Sequence, residues 1–128
     1  TRTASEAAEA VGCDVSQIVK SLIFETAPGG IPILILTSGS NQVDEQHMSK
    51  IIGSKIKFAS PDFVRERTGF AIGGVSPFGL TEEIVTYIDE DLLDYKQIWA
   101  AAGSPRAVFN IDPQILVSTT KAKVVQVS

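Results

Sequence analysis

The feature that most constrains this chain is the run Ile31-Pro32-Ile33-Leu34-Ile35-Leu36, apolar at every position. Its six residues fall far short of the roughly 20 needed to cross a bilayer as a helix. Without alternation it cannot be a strand with one wet face, so it predicts a strand inside a sheet, covered on both sides. Leu22-Ile23-Phe24 precedes it, separated by Pro28-Gly29-Gly30. That spacing predicts a hairpin, with glycine supplying unusual backbone angles and proline setting the turn entry. Gly39 closes the second strand.

Everything else must cover that pair. Thr3-Ala4-Ser5-Glu6 has the form of a capping box, and Ala4, Ala7, Ala8 and Val11 follow helical spacing up to Gly12. This small apolar face predicts close helix packing rather than a ligand pocket. Asp14 is expected to cap a second short helix running through Gln17 and Lys20. Val43 to Ile52 reads as a helix burying Met48, Ile51 and Ile52, stopped by Gly53. Ile56 and Phe58, alternating with Lys55 and Lys57, predict a short half-buried strand. Ser60-Pro61 opens a helix to about Thr68, stopped by Gly69. Strands follow at Ile84 to Ile88, Gln97 to Ala101 and Ala107 to Ile111. Asp112-Pro113 begins a helix with Ile115 and Leu116 inward, and Val124, Val125 and Val127 add an edge strand. No repeat, linker or low-complexity tract interrupts the pattern. The fold class expected is α+β, a single domain over residues 1–128.

Composition narrows the function. At 44% hydrophobic and 20% charged, the chain is neither disordered nor a coiled coil. One cysteine, Cys13, and one histidine, His47, leave no disulfide framework, no multi-cysteine zinc site and no His-rich metal site. No charged stretch followed by an apolar core opens the chain, so a retained signal peptide is not expected and the cytoplasm is the expected location. Eleven Lys and Arg against 15 Asp and Glu give a net charge of -4, unlike a protein that holds duplex by charge alone. Contact with nucleic acid would have to be local or assisted.

Phosphate-loop, dinucleotide and nucleophile-elbow motifs are absent. His47 lies in the polar segment Gln46-His47-Met48 and reads as a solvated helix residue. Cys13 sits beside Asp14, the opposite of the cationic neighbour a reactive thiolate wants. Asp89, Glu90, Asp91 and Asp94 read as a charged turn before a cation site. Tyr87, Tyr95 and Trp99 are too spread for an obvious base-stacking platform. Two features survive. Lys20 falls where a helix yields to an apolar strand, so its ammonium either projects from a rigid frame or simply reaches water. The loop Gly73 to Gly79 carries three glycines and a proline, fit either for exposing backbone N–H groups to a ligand or for a plain tight turn.

Taken together, four segments resemble the YbaK and prolyl-tRNA-synthetase-associated editing domain family. They are Thr3-Ala4-Ser5-Glu6-Ala7-Ala8, Gln17-Ile18-Val19-Lys20-Ser21-Leu22, Gly73-Gly74-Val75-Ser76-Pro77 and Ala102-Gly103-Ser104-Pro105-Arg106. The resemblance covers almost the whole chain in the right order, and begins at the family's second segment, so the preceding helix is expected to be missing or shortened. It implies a mixed, largely antiparallel, barrel-like sheet flanked by helices. It also implies hydrolysis of amino acids wrongly attached to tRNA, often tRNA for proline carrying alanine or cysteine, with no cofactor and no metal.

The family's lysine matches Lys20, its GxxxP loop matches Gly73 to Pro77, and the glycine of its late loop matches Gly103. Where a cysteine-specific branch often has serine before that glycine, this chain has Ala102. On this resemblance, backbone N–H groups of Gly73 and Gly74 would hold the ester carbonyl or a water. Lys20 would bind the terminal phosphate or ribose, or polarise the carbonyl. Phe24, Ile72 and Ala102 would form a small apolar pocket, with Val75, Ser76, Pro77, Gly103 and Ser104 completing the substrate site. An activated ester needs only positioned water and oxyanion stabilisation, the adenosine hydroxyl helping with the proton. The partner implied is the aminoacylated tRNA acceptor end, delivered by a synthetase or elongation factor, with Lys20, Lys50, Lys55, Lys57, Arg65, Arg67 and Arg106 as candidate contacts. The alternatives are a non-catalytic module that binds a small ligand or tRNA end, and a structural subunit of a synthetase.

Overall fold

The computed structural model describes residues 3–104 and 106–128; Pro105, in the late loop, lies outside them. The hairpin expected from the apolar run is its centre. β1 (Val19–Thr26) and β2 (Pro32–Ser38) pair antiparallel, with Lys20 opposite Thr37 and Ile23 opposite Leu34. Gly29 and Gly30 take φ of 111° and 62° in the turn, and Thr26 N–H closes it on Ile31 C=O at 3.0 Å. Every residue of β2 is buried. The sheet order β3-β1-β2-β4-β7 explains this, since β2 is its middle strand. β3 (Ile56–Phe58) pairs antiparallel with the far end of β1, whereas β4 (Val85–Asp89) and β7 (Lys123–Val125) run parallel to their neighbours, so the sheet is mixed. β5 (Ile98–Ser104) and β6 (Ala107–Ile111) form a separate antiparallel hairpin.

Period-2 alternation divides the core into two layers. Val19, Ile23, Leu34, Leu36 and Ile88 point to one side. There they meet Val64 of α3 (Pro61–Thr68), Leu116 of α4 (Pro113–Thr120), and Ile98 and Ala100 of the second hairpin. Phe24, Ile33, Ile35, Ile56 and Tyr87 point to the other, against Met48 of α2 (Glu45–Ile52) and Val127. A third, smaller cluster seats α1 (Ala4–Val11) on Ile18 and Trp99. The Thr3–Glu6 capping box forms in both directions at 3.1 Å, and Gly12 ends α1 with φ 77°.

Several expectations need correction. The segment after Asp14 makes only a single 3-10 turn, Val15–Gln17, and Lys20 is the second residue of β1 rather than a helix end. Gln17 Oε1 accepts the Asp14 N–H at 3.0 Å, and the β-branched pair Ile18-Val19 then passes into the sheet, Ile18 bridging to Trp99. α2 starts at Glu45, because the Asp44 carboxylate caps the N–H of His47 at 3.0 Å. Ile51 and Ile115 are exposed: Ile115 is turned outward beside the inward Leu116, and in the last turn of α2 it is Ile52 rather than Ile51 that packs beside Met48, leaving Ile51 at the edge of that face. Phe58 is 56% exposed, although its ring lies 4.4 Å from that of Phe24.

Gly39, immediately after β2, has a steric rather than a conformational reason. A Cβ there would sit 2.4 Å from the Val15 carbonyl oxygen and 3.0 Å from Ala4 Cβ. Gly39→Ala is therefore expected to destabilise the fold by about 1–3 kcal/mol, read as a lower urea midpoint at unchanged slope.

Candidate functional site

β1 is paired along its whole inner edge but not along its outer edge. β3 covers only Phe24 to Thr26, and β5 reaches only the isolated bridge between Ile18 and Trp99. Ile23 C=O accepts Ala59 N–H at 3.1 Å, which fixes the odd-numbered residues of β1 as those whose peptide groups face outward. By the same alternation, Ser21 turns its backbone N–H and C=O into the gap between β3 and β5.

A cavity of about 330 Å³ occupies that gap. Val19 to Ile23 form its floor, and Thr3, Ala4 and Ala7 of α1 form one side. Trp99 and Ala101 of β5 with Val108 of β6 form another, Ala101 and Val108 being direct partners across the hairpin. Phe58, Ala59 and Val64 close the β3–α3 end, and Ile72, Gly73 and Val75 overhang from the glycine-rich loop. The walls are largely apolar, and with Trp99, Phe58 and Ile72 narrowing it the space suits a compact guest.

Beside this apolar space lies a buried polar atom without a partner. Ser21 Oγ is shielded from solvent and makes no hydrogen bond among the described residues. A buried hydroxyl left unsatisfied costs stability, so such a group is informative. In the sequence Ser21 stands inside a family-like segment without a role of its own. Its signal was its parity with Val19 and Ile23, a polar residue on a core-facing register.

The expected site residues divide into three groups. Lys20, Ile72, Gly73 and Val75 all border the cavity. Gly73 takes φ 84° in the turn Ala71–Gly74, which Gly74 closes by donating its N–H to Ala71 C=O at 3.0 Å. The Gly74 N–H is thus committed to the turn, while no acceptor engages the Gly73 N–H among the described residues. Ser76 and Pro77 are buried in the body of the loop, where Ser76 Oγ accepts Phe78 N–H at 3.1 Å and shapes the bend.

Phe24, Ala102, Gly103 and Ser104 do not line the cavity. Phe24 has the wrong parity and is fully buried in the other layer; Phe58, which stacks on it, reaches the cavity instead. Ala102 likewise has the opposite parity to Trp99 and Ala101, so the wall expected from it comes from Ala101. Gly103 (φ 99°) lets the Phe70 ring approach, a Cβ there lying 3.3 Å from it, and so ties the glycine-rich loop to the hairpin. Ser104 Oγ accepts the N–H groups of Arg106 and Ala107 at 3.3 and 3.2 Å and closes the β5–β6 turn. The small face of α1, expected only to pack, supplies cavity wall as well.

Lys20 is half-buried, and its ammonium donates to the Asn41 carbonyl. Burial pushes its pKa below the ordinary lysine value, and the nearby Asp89 charge partly opposes that shift. Burial, with Asp14 adding to it, pushes the Cys13 thiol up, which leaves it a poor nucleophile. His47 is tied to the Gln126 carbonyl at 2.7 Å, in α2 and away from the cavity wall. Of the expected basic contacts, Lys57 pairs with Glu25 and Arg67 with Glu82.

Comparison with known proteins then decides the family. A family model described as an aminoacyl-tRNA editing domain matches residues 1–118. The chain belongs to the aminoacyl-tRNA editing domain family. The editing domain is 35% identical over 122 residues to the uncharacterized protein YwhH of Bacillus subtilis, covering 95% of this chain and 77% of YwhH. It is 24% identical over 127 residues to EbsC of Enterococcus faecalis, a candidate Cys-tRNA(Pro)/Cys-tRNA(Cys) deacylase, covering 98% and 77%. A proline–tRNA ligase of Limosilactobacillus fermentum matches at 30% over 94 residues, 70% of this chain and 16% of the ligase. The crystal structure of a candidate trans-editing enzyme for prolyl tRNA synthetase superposes with a TM-score of 0.94 at 48% identity, over 100% of this chain and 80% of that one. Among the described residues, no helix of the editing domain is long and apolar enough to cross a membrane.

The unpartnered hydroxyl gives a test of sign. Ser21→Ala is expected to raise stability by about 1 kcal/mol in urea denaturation, since it removes an unsatisfied buried group. A comparable loss would mean that Ser21 Oγ is satisfied in solution.

Proposed function

We propose that this editing domain hydrolyses the ester that joins a small amino acid, alanine or cysteine, to tRNA for proline. The observation that carries the reading is that an open strand edge, Ser21, Lys20 and the turn at Gly73 all border one apolar cavity.

Each group meets one need of the reaction. The aminoacyl moiety enters the gap between β3 and β5, where Ser21 C=O accepts from the α-ammonium. Lys20 binds the phosphate or ribose of the terminal nucleotide. Water attacks the ester carbonyl carbon, and the Gly73 N–H stabilises the oxyanion that forms. The acyl C–O bond then breaks, and the leaving ribose oxygen takes the proton that the water gives up, relayed by the adjacent adenosine hydroxyl. The products are a free amino acid and uncharged tRNA, with no protein nucleophile consumed. The net charge of -4 accords with a substrate gripped at its single-stranded end, with a synthetase or elongation factor delivering it.

Side-chain size is read by α1 and β5–β6. Discrimination by one methylene is worth only about 1–3 kcal/mol at a binding step, which is why a second, hydrolytic sieve is useful.

The experiment is release of amino acid from Ala-, Cys- and Ser-charged tRNA for proline. The wild type is expected to release one of the first two far above the uncatalysed rate, and Lys20→Ala to lose about 10²-fold or more. Ala101→Leu, which fills the cavity from the hairpin side, is expected to slow release at least about tenfold while the protein stays folded. Tight binding of the charged end without release by folded wild type would favour the non-catalytic module instead.

A further inference from the structure

The Lys20 ammonium does not stand alone in water, nor does it form a direct ion pair among the described residues. Its acceptor is a backbone carbonyl, that of Asn41, on the short loop after β2. What fixes that carbonyl is a side-chain network lying outside the cavity wall.

Asp89, at the end of β4, is 1% exposed and uses both carboxylate oxygens. Oδ2 accepts the Ser38 N–H at 3.0 Å and the Asn41 side-chain amide at 2.8 Å. Oδ1 accepts the Asp91 N–H at 3.0 Å. The same Asn41 amide nitrogen also donates to Asp91 Oδ2 at 2.8 Å, so its two hydrogens join two carboxylates. The loop is held from the other direction by Gly39 N–H to Ile18 C=O at 2.7 Å and Asn41 N–H to Ser38 C=O at 3.0 Å. The Asn41 side chain is therefore anchored to the two carboxylates while its carbonyl accepts from Lys20.

We propose that Asp89, acting through Asn41, is the positioning residue for Lys20: it locks the loop that presents the Asn41 carbonyl and places a negative charge behind it. This rests on Lys20 serving deacylation as described above. A half-buried lysine would otherwise tend to lose its proton or swing to solvent, and either would spoil a group meant to meet an anionic nucleotide at a set place. Around Lys20, β2 contributes the uncharged and buried Thr37, its cross-strand partner. β4 contributes Asp89, the charge that acts on it, and the following turn contributes Asp91, itself bound by Asn41. The acidic stretch that resembles an ordinary charged turn thus holds one carboxylate with a separate duty.

The test follows the Lys20 side-chain carbon resonance through a pH titration of substrate-free protein carrying labelled lysine, assigned by its loss in Lys20→Met. Asp89→Asn is expected to lower the Lys20 titration by about half a unit or more, since the opposing charge is gone. Asn41→Ala is expected to lower it less, because the ammonium loses a fixed acceptor but keeps the charge. In deacylation assays, the basic limb of the kcat profile moves to lower pH in Asp89→Asn. Asn41→Ala loses activity in the wild-type background but adds nothing to Lys20→Ala. An unchanged Lys20 titration in folded Asp89→Asn overturns the proposal. If that variant does not fold, an unchanged titration and unchanged release in Asn41→Ala overturn it equally. Absence of deacylation by wild type would instead refute the functional reading, and the titration, which needs no substrate, would still decide the role of Asp89.

Discussion

The site exists because β2 occupies the middle of the sheet. A strand whose run from Ile31 to Leu36 is apolar without alternation has to be covered on both faces and paired on both edges, so β1 and β4 flank it. That satisfies every inward peptide group of β1 and leaves its outward groups to be matched by whatever lies beyond. β3 is only three residues long, and the second hairpin approaches at a single bridge. Between them the ladder has a hole centred on Ser21. In most folds water or another strand would fill such a hole; here apolar walls surround it, and the peptide groups face a space the size of a small guest.

Much of this was legible in the sequence, and for identifiable reasons. The β1–β2 hairpin, the Gly12, Gly53 and Gly69 helix stops and the Ser60-Pro61 and Asp112-Pro113 helix starts are local chemistry, and each lies where local chemistry put it. Lys20, Ile72, Gly73 and Val75 were found by resemblance and do share one cavity. Parity was not legible. Phe24 and Ala102 belong to the right strands but point to the wrong side, because a one-residue shift reverses a side chain's face. A one-residue offset misled in the same way at Ile115, beside the inward Leu116. Ser21 was passed over because a lone serine in an apolar strand looks like tolerated noise until the absence of a partner is seen.

The electrostatics follow from the same geometry. The cavity concentrates its polarity in a few groups set among apolar walls, so each is worth more than it would be in bulk water. Lys20 sits at the border, drawn down by burial and held up by a carboxylate that is itself saturated with donors. Neither the thiol nor the imidazole borders the cavity: Cys13 and His47 are both tied elsewhere by ordinary hydrogen bonds to backbone carbonyls.

The open edge of β1 has an evolutionary consequence. The peptide N–H and C=O of Ser21 are main-chain groups, which no substitution there other than proline alters. Ala4, Ala7, Ala101 and Val108, which narrow the cavity, are side chains on a helix and a hairpin outside the central sheet. The polar edge of the cavity is thus shielded from genetic drift, while its apolar walls are free to vary. On the function proposed above, a lineage carrying this fold could change its guest without rebuilding the strand edge that receives it.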